Sequence, residues 1–413
     1  MSSTTQPIEN RRTSNLAAFQ SPAFRWYFAG QLISVSGTWM QSVAQQVVVY
    51  DLTQSPLALG LVACAQGLPS LLLTPFAGVI VEHIPRRQIL LITQTLMMVL
   101  AFILAVLQFA GITQVWHIMV LSLGVGIANA LDAPARQAFV VEMVGREQLA
   151  SGIVLNSIMF NTGRVIGPAL GGIALRQVGP AWCFLLNGAS FIAVIVSLLL
   201  MHVTSIQRRV QSLAVWETLK EGLQFARTHE SIRPLLLLSA MNSLFGITFA
   251  VLLPAFAAQV LHNPVDGTAG LLTAEGVGAV LAGVAVAHAN SMGRRGTVLF
   301  ICAVLGPAAM ILFAVNSTYA FALLLAGCTG LFLICQFILM NTLIQVVVPN
   351  EFRGRVMSLY TLTFFGLTPF SSLAIGLLAE QTGTPTAILS YGIICLVGSI
   401  FLFWRYPQMR RMT

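Results

Sequence analysis

Charge is scarce in this chain. It has one lysine, Lys220, and charged residues fill 8% of its 413 positions, against roughly a quarter in an ordinary soluble protein. A phosphate-binding loop of the Gly-x-x-x-x-Gly-Lys-Ser/Thr kind needs a lysine in a glycine-rich turn, and Lys220 stands instead in ETLKEG, so ATP-driven work within the chain is excluded. The six histidines are scattered with no HExxH or similar pair. The six cysteines (Cys64, Cys183, Cys302, Cys328, Cys335, Cys395) fall in or beside apolar runs without ligand spacing. No metal or other cofactor is therefore expected, and the cysteines read as small buried hydrophobes rather than disulfides. Clustered acids and histidines, which a membrane-embedded enzyme would need near one interface, come no closer than HNPVDG at 262–267; an enzyme is not expected. The polar residues 1–23 hold no short apolar region with a small-residue cleavage site, so no cleaved signal peptide is expected.

What the chain has in abundance is apolar length. Hydrophobic residues make up 57% of it, in runs that match the roughly 20 residues a helix needs to cross a bilayer. Spans fall near 26–50, 57–82, 88–110, 115–135, 148–175 and 181–201, then 234–261, 268–289, 296–315, 318–345, 355–379 and 385–404. A lipid-exposed backbone must satisfy its own hydrogen bonds, and these runs are too long for barrel strands. The expected fold is an all-α membrane protein of twelve transmembrane helices in two pseudo-symmetric six-helix bundles. The expected division is 1–201, a linker at 202–233, and 234–413.

Basic residues fall in alternate connections: Arg86, Arg87, Arg136, Arg146, Arg208, Arg209, Lys220, Arg227, Arg233, Arg294, Arg295, Arg353 and Arg355, together with both ends of the chain. The opposite loops hold only Arg176. The positive-inside rule then places both termini in the cytoplasm, as a multi-pass protein of the inner (cytoplasmic) membrane, and the net charge of +8 reflects topology rather than nucleic-acid binding. In the linker, Leu213, Trp216, Leu219, Leu223 and Phe225 recur at near-helical spacing, as in an amphipathic helix on the inner membrane surface; a regulatory docking site is the alternative. The halves repeat weakly. VGREQLASGIVLNSIMF (144–160) lies on VPNEFRGRVMSLYTLTF (348–364) without a gap, and further on Gly172, Gln177 and Gly179 meet Gly376, Gln381 and Gly383. A parallel repeat of six-helix units is the trace of a transporter whose site lies between its halves.

Two motifs sharpen this. GVIVEHIPRRQ (78–88) sets Gly78, Glu82, Arg86 and Arg87 in a tight turn between the second and third spans, where a carboxylate can meet a helix N-terminus or an arginine. NTGRVIGPALGG (161–172) spaces Gly163, Gly167, Pro168, Gly171 and Gly172 through the fifth span; such glycines let helices approach closely and the proline frees a backbone carbonyl. The chain resembles the major facilitator superfamily, whose signatures Gly-x-x-x-Asp-x-x-Gly-Arg-Arg/Lys and Gly-x-x-x-Gly-Pro-x-x-Gly-Gly these segments echo, with Glu82 for the aspartate and Pro85 for a glycine. LDAPARQAFV (131–140) is similar to the branch with the enterobactin exporter and macrolide efflux proteins. The resemblance implies that Glu82 latches the halves on the cytoplasmic side and that the glycine motif belongs to an exporter. The second copy of the turn, HANSMGRRG, has Asn290 where an acid would match. The superfamily's fourth-span arginine linked to proton coupling has no counterpart between Leu121 and Leu131.

Asp132 and Arg136, four apart at the inner end of the fourth span, are placed to pair, as a structural ion pair or a gating contact. Polar residues inside spans must find partners or water. Gln31, Ser34, Thr38, Gln41 and Gln45 form a stripe in the first span, with Asn156 and Asn161 in the fifth, Asn242 in the seventh, and Gln336 and Asn341 in the tenth. These are candidate pathway residues, helix-to-helix hydrogen bonding being the alternative for the first-span stripe. With Trp39, Phe160, Phe245 and Phe249, they would suit an amphipathic, partly aromatic molecule. Arg164 and Glu275 lie at compatible depths, and the resemblance implies that their spans, the fifth and the eighth, face each other across the two halves, so a pair that closes the outer side and opens when Glu275 is protonated is one reading. The other is that Arg164 caps carbonyls freed by Pro168 while Glu275 faces water. The expected function is secondary active export of a small amphipathic molecule, siderophore-like or drug-like, by alternating access and proton antiport. Uptake or lipid translocation is the alternative. The expected partners are the substrate, protons and membrane lipid.

Overall fold

The computed structural model describes residues 16–145, 147–201, 215–291 and 293–412. Eleven segments of the described residues are long and apolar enough to cross a membrane. α1 (Pro22–Thr53) is the twelfth long segment, made more polar by Arg25, four glutamines and Asp51. α2 (Pro56–His83), α3 (Arg86–Phe109), α4 (Val115–Val144), α5 (Leu149–Gln177) and α6 (Pro180–Leu200) complete the first bundle. Short turn signals separate them. Ser21 and Ser55 cap α1 and α2 through their side-chain oxygens, each followed by a proline at the first helical position, where its missing N–H costs nothing.

After the surface helix α7 (Val215–Thr228), the seventh span is broken into unlike pieces. α8 (Ile232–Met241) passes into a π turn at Asn242–Gly246, a 3-10 stretch at Ile247–Leu252 and α9 (Leu253–Gln259). The sequence predicts one regular helix here, and the π turn coincides with the buried Asn242 side chain. α10 (Pro264–Ser291), α11 (Arg295–Val315), α12 (Tyr319–Val347), α13 (Asn350–Thr382) and α14 (Thr384–Arg405) follow.

α4 runs nine residues beyond its expected end at 135, with Pro134 inside it. Arg136 therefore lies in no loop: it is buried within the helix beside Asp132, whose opposite charge removes the cost that would have ended an apolar run there.

Within the first bundle α1 packs on α5 and α6, α2 on α4, and α3 on α4 and α6; within the second α10 packs on α12 and α11 on α12 and α14. The bundles meet where α5 lies on α10 and α2 on α13. Twelve crossings bring the chain back to the end at which it starts, so one end carries both described termini (the terminal end) and the other is the far end. The sequence repeat is visible in the contacts. Gly172 faces Ala269 of α10, while its counterpart Gly376 faces Pro56 and Gly60 of α2. Gly179 and Gly383, also paired by the repeat, both take positive φ, 86° and 89°, a region that favours glycine.

α7 docks on the second bundle: Phe225 stacks on Phe352 with ring centroids 4.3 Å apart, and Glu221 pairs with Arg355 at 2.9 Å. Leu213 falls outside the described residues.

Candidate functional site

The bundles are sealed against each other at the far end, largely by backbone. A Cβ added to Gly60 would come within 2.4 Å of the Ser372 carbonyl oxygen, and one added to Gly376 within 2.9 Å of that of Pro56. On the other flank, a Cβ on Gly276 of α10 would lie 2.7 Å from the Arg164 carbonyl oxygen of α5. That carbonyl lacks its usual helix donor, because Pro168 four residues on has no N–H. Toward the terminal end the same face of α10 separates: Gly283, two turns after Gly276, would meet nothing within 4 Å.

Polar contacts reinforce the seal. Arg164 Nη2 donates to Glu275 Oε1 at 2.9 Å, and the guanidinium lies 5.6 Å from the centroid of the Trp39 ring. Glu275 is buried, so the contact joins two charges in an apolar surrounding where neither could stand alone cheaply. At the far end of the same helices, Arg176 pairs with Asp266 at 3.3 Å. The repeat aligns Arg176 with Glu380. Glu380 of α13 accepts from the Ser55 hydroxyl at 2.7 Å and from the Leu57 N–H at 3.3 Å, a carboxylate on the positive end of α2. Gln259 adds a bond to the Tyr50 hydroxyl at 2.8 Å. Glu380, Asp266, Ser55, Tyr50 and Gln259 were not singled out from sequence, although extending the repeat by one residue from Gln177 and Gln381 points to Arg176 and Glu380.

The glycine motif divides between two partners. Gly163, Gly167 and Gly171 lie against Val35, Trp39 and Met40 of α1, inside the first bundle, and only Gly172 of the set reaches across to α10. Three of these glycines, expected at a gate, thus hold α5 to α1 in this structure. Arg87 donates to the carbonyls of Leu198 and Leu199, at 2.7 and 2.9 Å, at the end of α6, and Arg86 pairs with Glu142 of α4; both contacts stay within the first bundle. Gly78 and Glu82 stand in the last turns of α2, and the latch assigned to Glu82 lies outside the described side chains.

Asp132 and Arg136 form their ion pair. Arg136 sits about two turns and Asp132 about three turns inside the end of α4. Asp132 also accepts from the Thr93 hydroxyl and the Gln94 amide of α3, each at 2.8 Å.

Of the polar stripe, Gln31 and Ser34 are buried and Thr38 is exposed. Gln41 accepts from Asn187 of α6 at 2.7 Å, and Gln45 donates to Ser122 of α4 at 3.1 Å, so these two tie helices together. Asn161 and Asn341 are half-buried, bonded to Ser157 and Gln345 of their own helices. Asn242 and Gln336 do not line an opening. Both are fully buried, donating to the carbonyls of Leu333 and Cys302 at 3.3 and 3.1 Å. Phe249 is likewise buried, against Phe313. Helix periodicity marks a polar residue as needing a partner but leaves open whether a neighbouring helix supplies it.

This arrangement of paired helical bundles agrees in fold with what comparison with known proteins gives. The profile of the transmembrane secretion effector family, a branch of the major facilitator superfamily, matches residues 13–412. The chain belongs to this family. Its relatives in this family are transporters. The multidrug efflux pump Tap of Mycolicibacterium fortuitum is 24% identical over 92% of this chain and 95% of its own. The enterobactin exporter EntS of Salmonella choleraesuis is 24% identical over 92% of each. Among solved structures, a POT family transporter in complex with 5-aminolevulinic acid superposes with a TM-score of 0.76 at 12% identity, over 94% of this chain and 96% of that one, a likeness of fold. The chain is thus a multi-pass membrane transporter of the major facilitator type, and its relatives include exporters.

Proposed function

We propose that this transporter exports a small amphipathic molecule by alternating access, driven by protons entering in exchange, and that the structure is its cytoplasm-open state. The concentration of basic residues at the terminal end supports placing that end in the cytoplasm. The named functions of Tap and EntS support the direction. The observation that carries the mechanism is the Arg164–Glu275 pair, 2.9 Å across the closed face. Glu275 takes up a proton from the far side, which removes one charge of the pair and releases the seal; the seal re-forms as that proton passes to the cytoplasm, so a proton moves inward for each molecule moved out.

The test is pH-gradient-driven efflux in vesicles. Glu275→Gln is expected to weaken it strongly, and Arg164→Glu combined with Glu275→Arg to recover more activity than either single change. Full gradient-driven efflux by Glu275→Gln would remove the coupling role, and absence of mutual rescue would remove the pair. Accumulation of candidate compounds in cells with and without the gene separates export from uptake.

A further inference from the structure

A buried chain of hydrogen-bonding groups runs through the first bundle and ends on a single amide. Asp132 holds Arg136, with Nε to Oδ2 at 2.9 Å. The phenol of Tyr27 on α1 lies within electrostatic reach of the Arg136 guanidinium. Tyr27 in turn bonds Asn156 Oδ1 on α5 at 3.1 Å. The direction of this chain is fixed by chemistry. The cation attracts the lone pairs of the Tyr27 oxygen, and the hydroxyl sends its one proton onward to Asn156. Asn156 can receive that proton only on its carbonyl oxygen. Its NH₂ group is thereby turned away from the chain.

Among the described residues that NH₂ has no partner, and it is not enclosed; Asn156 is half-buried. Asn156 stands about two turns before Arg164, on the stretch of α5 beyond which α10 has separated, and its neighbour Ser157 is exposed. Phe160, four residues on and so beside it on the helix, is 39% exposed. The opening between the bundles therefore meets a donor with a fixed aim next to an aromatic face.

We infer that Asn156 is a specificity-determining residue that presents a hydrogen-bond donor to the transported molecule, which carries an acceptor oxygen (carboxylate, phenolate, sulfonate or carbonyl) on an aromatic body. Tyr27, Arg136 and Asp132 are positioning residues that keep the amide from flipping. The inference rests on the transport reading only in that the substrate enters this opening; direction and coupling do not enter.

The test uses two probes that share a ring system, 8-anilino-1-naphthalenesulfonate and N-phenyl-1-naphthylamine, titrated by fluorescence against the purified full chain in nanodiscs with no gradient. The wild type is expected to bind the sulfonate saturably and more tightly than the amine. Asn156→Asp, which replaces the donor by an acceptor, should lose about tenfold or more for the sulfonate, the scale of one charge-assisted hydrogen bond, and keep its affinity for the amine. Should the aspartate variant not fold, Asn156→Ala makes the same test without adding charge. Tyr27→Phe leaves Asn156 in place but free to rotate, and should fall between wild type and Asn156→Ala. Equal loss of both probes, an unchanged sulfonate affinity, or no saturable sulfonate binding by the wild type would overturn the inference. Each of these results leaves the export reading to its own gradient assay.

Discussion

Gly276→Ala places one methyl group where the far-end seal is tightest. Its Cβ would stand 2.7 Å from the Arg164 carbonyl oxygen and 3.2 Å from the carbonyl carbon, inside ordinary contact distance and against backbone that has no rotamer to change. Nor can α10 back away locally, because on its other side a Cβ at Gly330 of α12 would already meet the Glu275 carbonyl oxygen at 2.2 Å and one at Gly278 the Gly327 oxygen at 1.9 Å. The overlap is relieved by moving the bundles apart. Overpacking of this kind costs about 1–3 kcal/mol, which shifts the ratio of far-end-closed to far-end-open molecules by about 5- to 150-fold. The assay is double electron–electron resonance between spin labels at the exposed far-end positions Val178 and Gln381, in a background without the six native cysteines. Gly276→Ala should add a longer distance; Gly283→Ala, with nothing within 4 Å of its Cβ, should not. An unchanged distribution for Gly276→Ala, or the same shift from Gly283→Ala, would refute the reasoning.

Glu380→Gln removes the charge at the start of α2 while keeping an acceptor for Ser55 and Leu57, and should favour the open far end by about 0.3–1 kcal/mol, less in high salt, read by the same label pair. Gly167→Leu should reduce folded yield rather than cycling, because even its Cβ would lie 2.4 Å from the Trp39 Cβ and 2.7 Å from the Ser36 carbonyl oxygen within one bundle; a well-folded protein that binds but does not cycle would contradict this. Asp132→Asn leaves the buried Arg136 without its counter-charge and should destabilise the first bundle by about 3–5 kcal/mol, measured as a lower thermal midpoint in detergent.

The long helices, their repeat and the depth of Arg164 and Glu275 were legible in the sequence because charge inside an apolar run is expensive and therefore conspicuous. Their 2.9 Å contact follows from two such charges facing each other at similar depth. The extent of α4 was hidden for the converse reason: Asp132 and Arg136 cancel each other in space, while a reading by apolar run counts each as a break. Tyr27 escaped notice because a tyrosine in an apolar helix looks like core until its hydroxyl is placed. Asn242 and Gln336 were offered as pathway residues, and only the rotation of their helices, fixed by packing, turns them inward to carbonyls of their own bundle. The broken seventh span carries no proline or glycine cluster at its π turn to announce it.

The contact between α5 and α10 is made chiefly of glycine against carbonyl, whereas the groups that face the opening, Asn156 and Phe160 among them, are side chains. The two are therefore editable separately. On the inference drawn for Asn156, replacing an amide or a ring along the opening would alter which molecules are accepted and leave the closure intact, since no part of the closure is built from those atoms. A change at Gly276 does the reverse, disturbing every passenger alike. A lineage carrying this frame could wander from one cargo to another through single substitutions and never need to reinvent how its two halves shut.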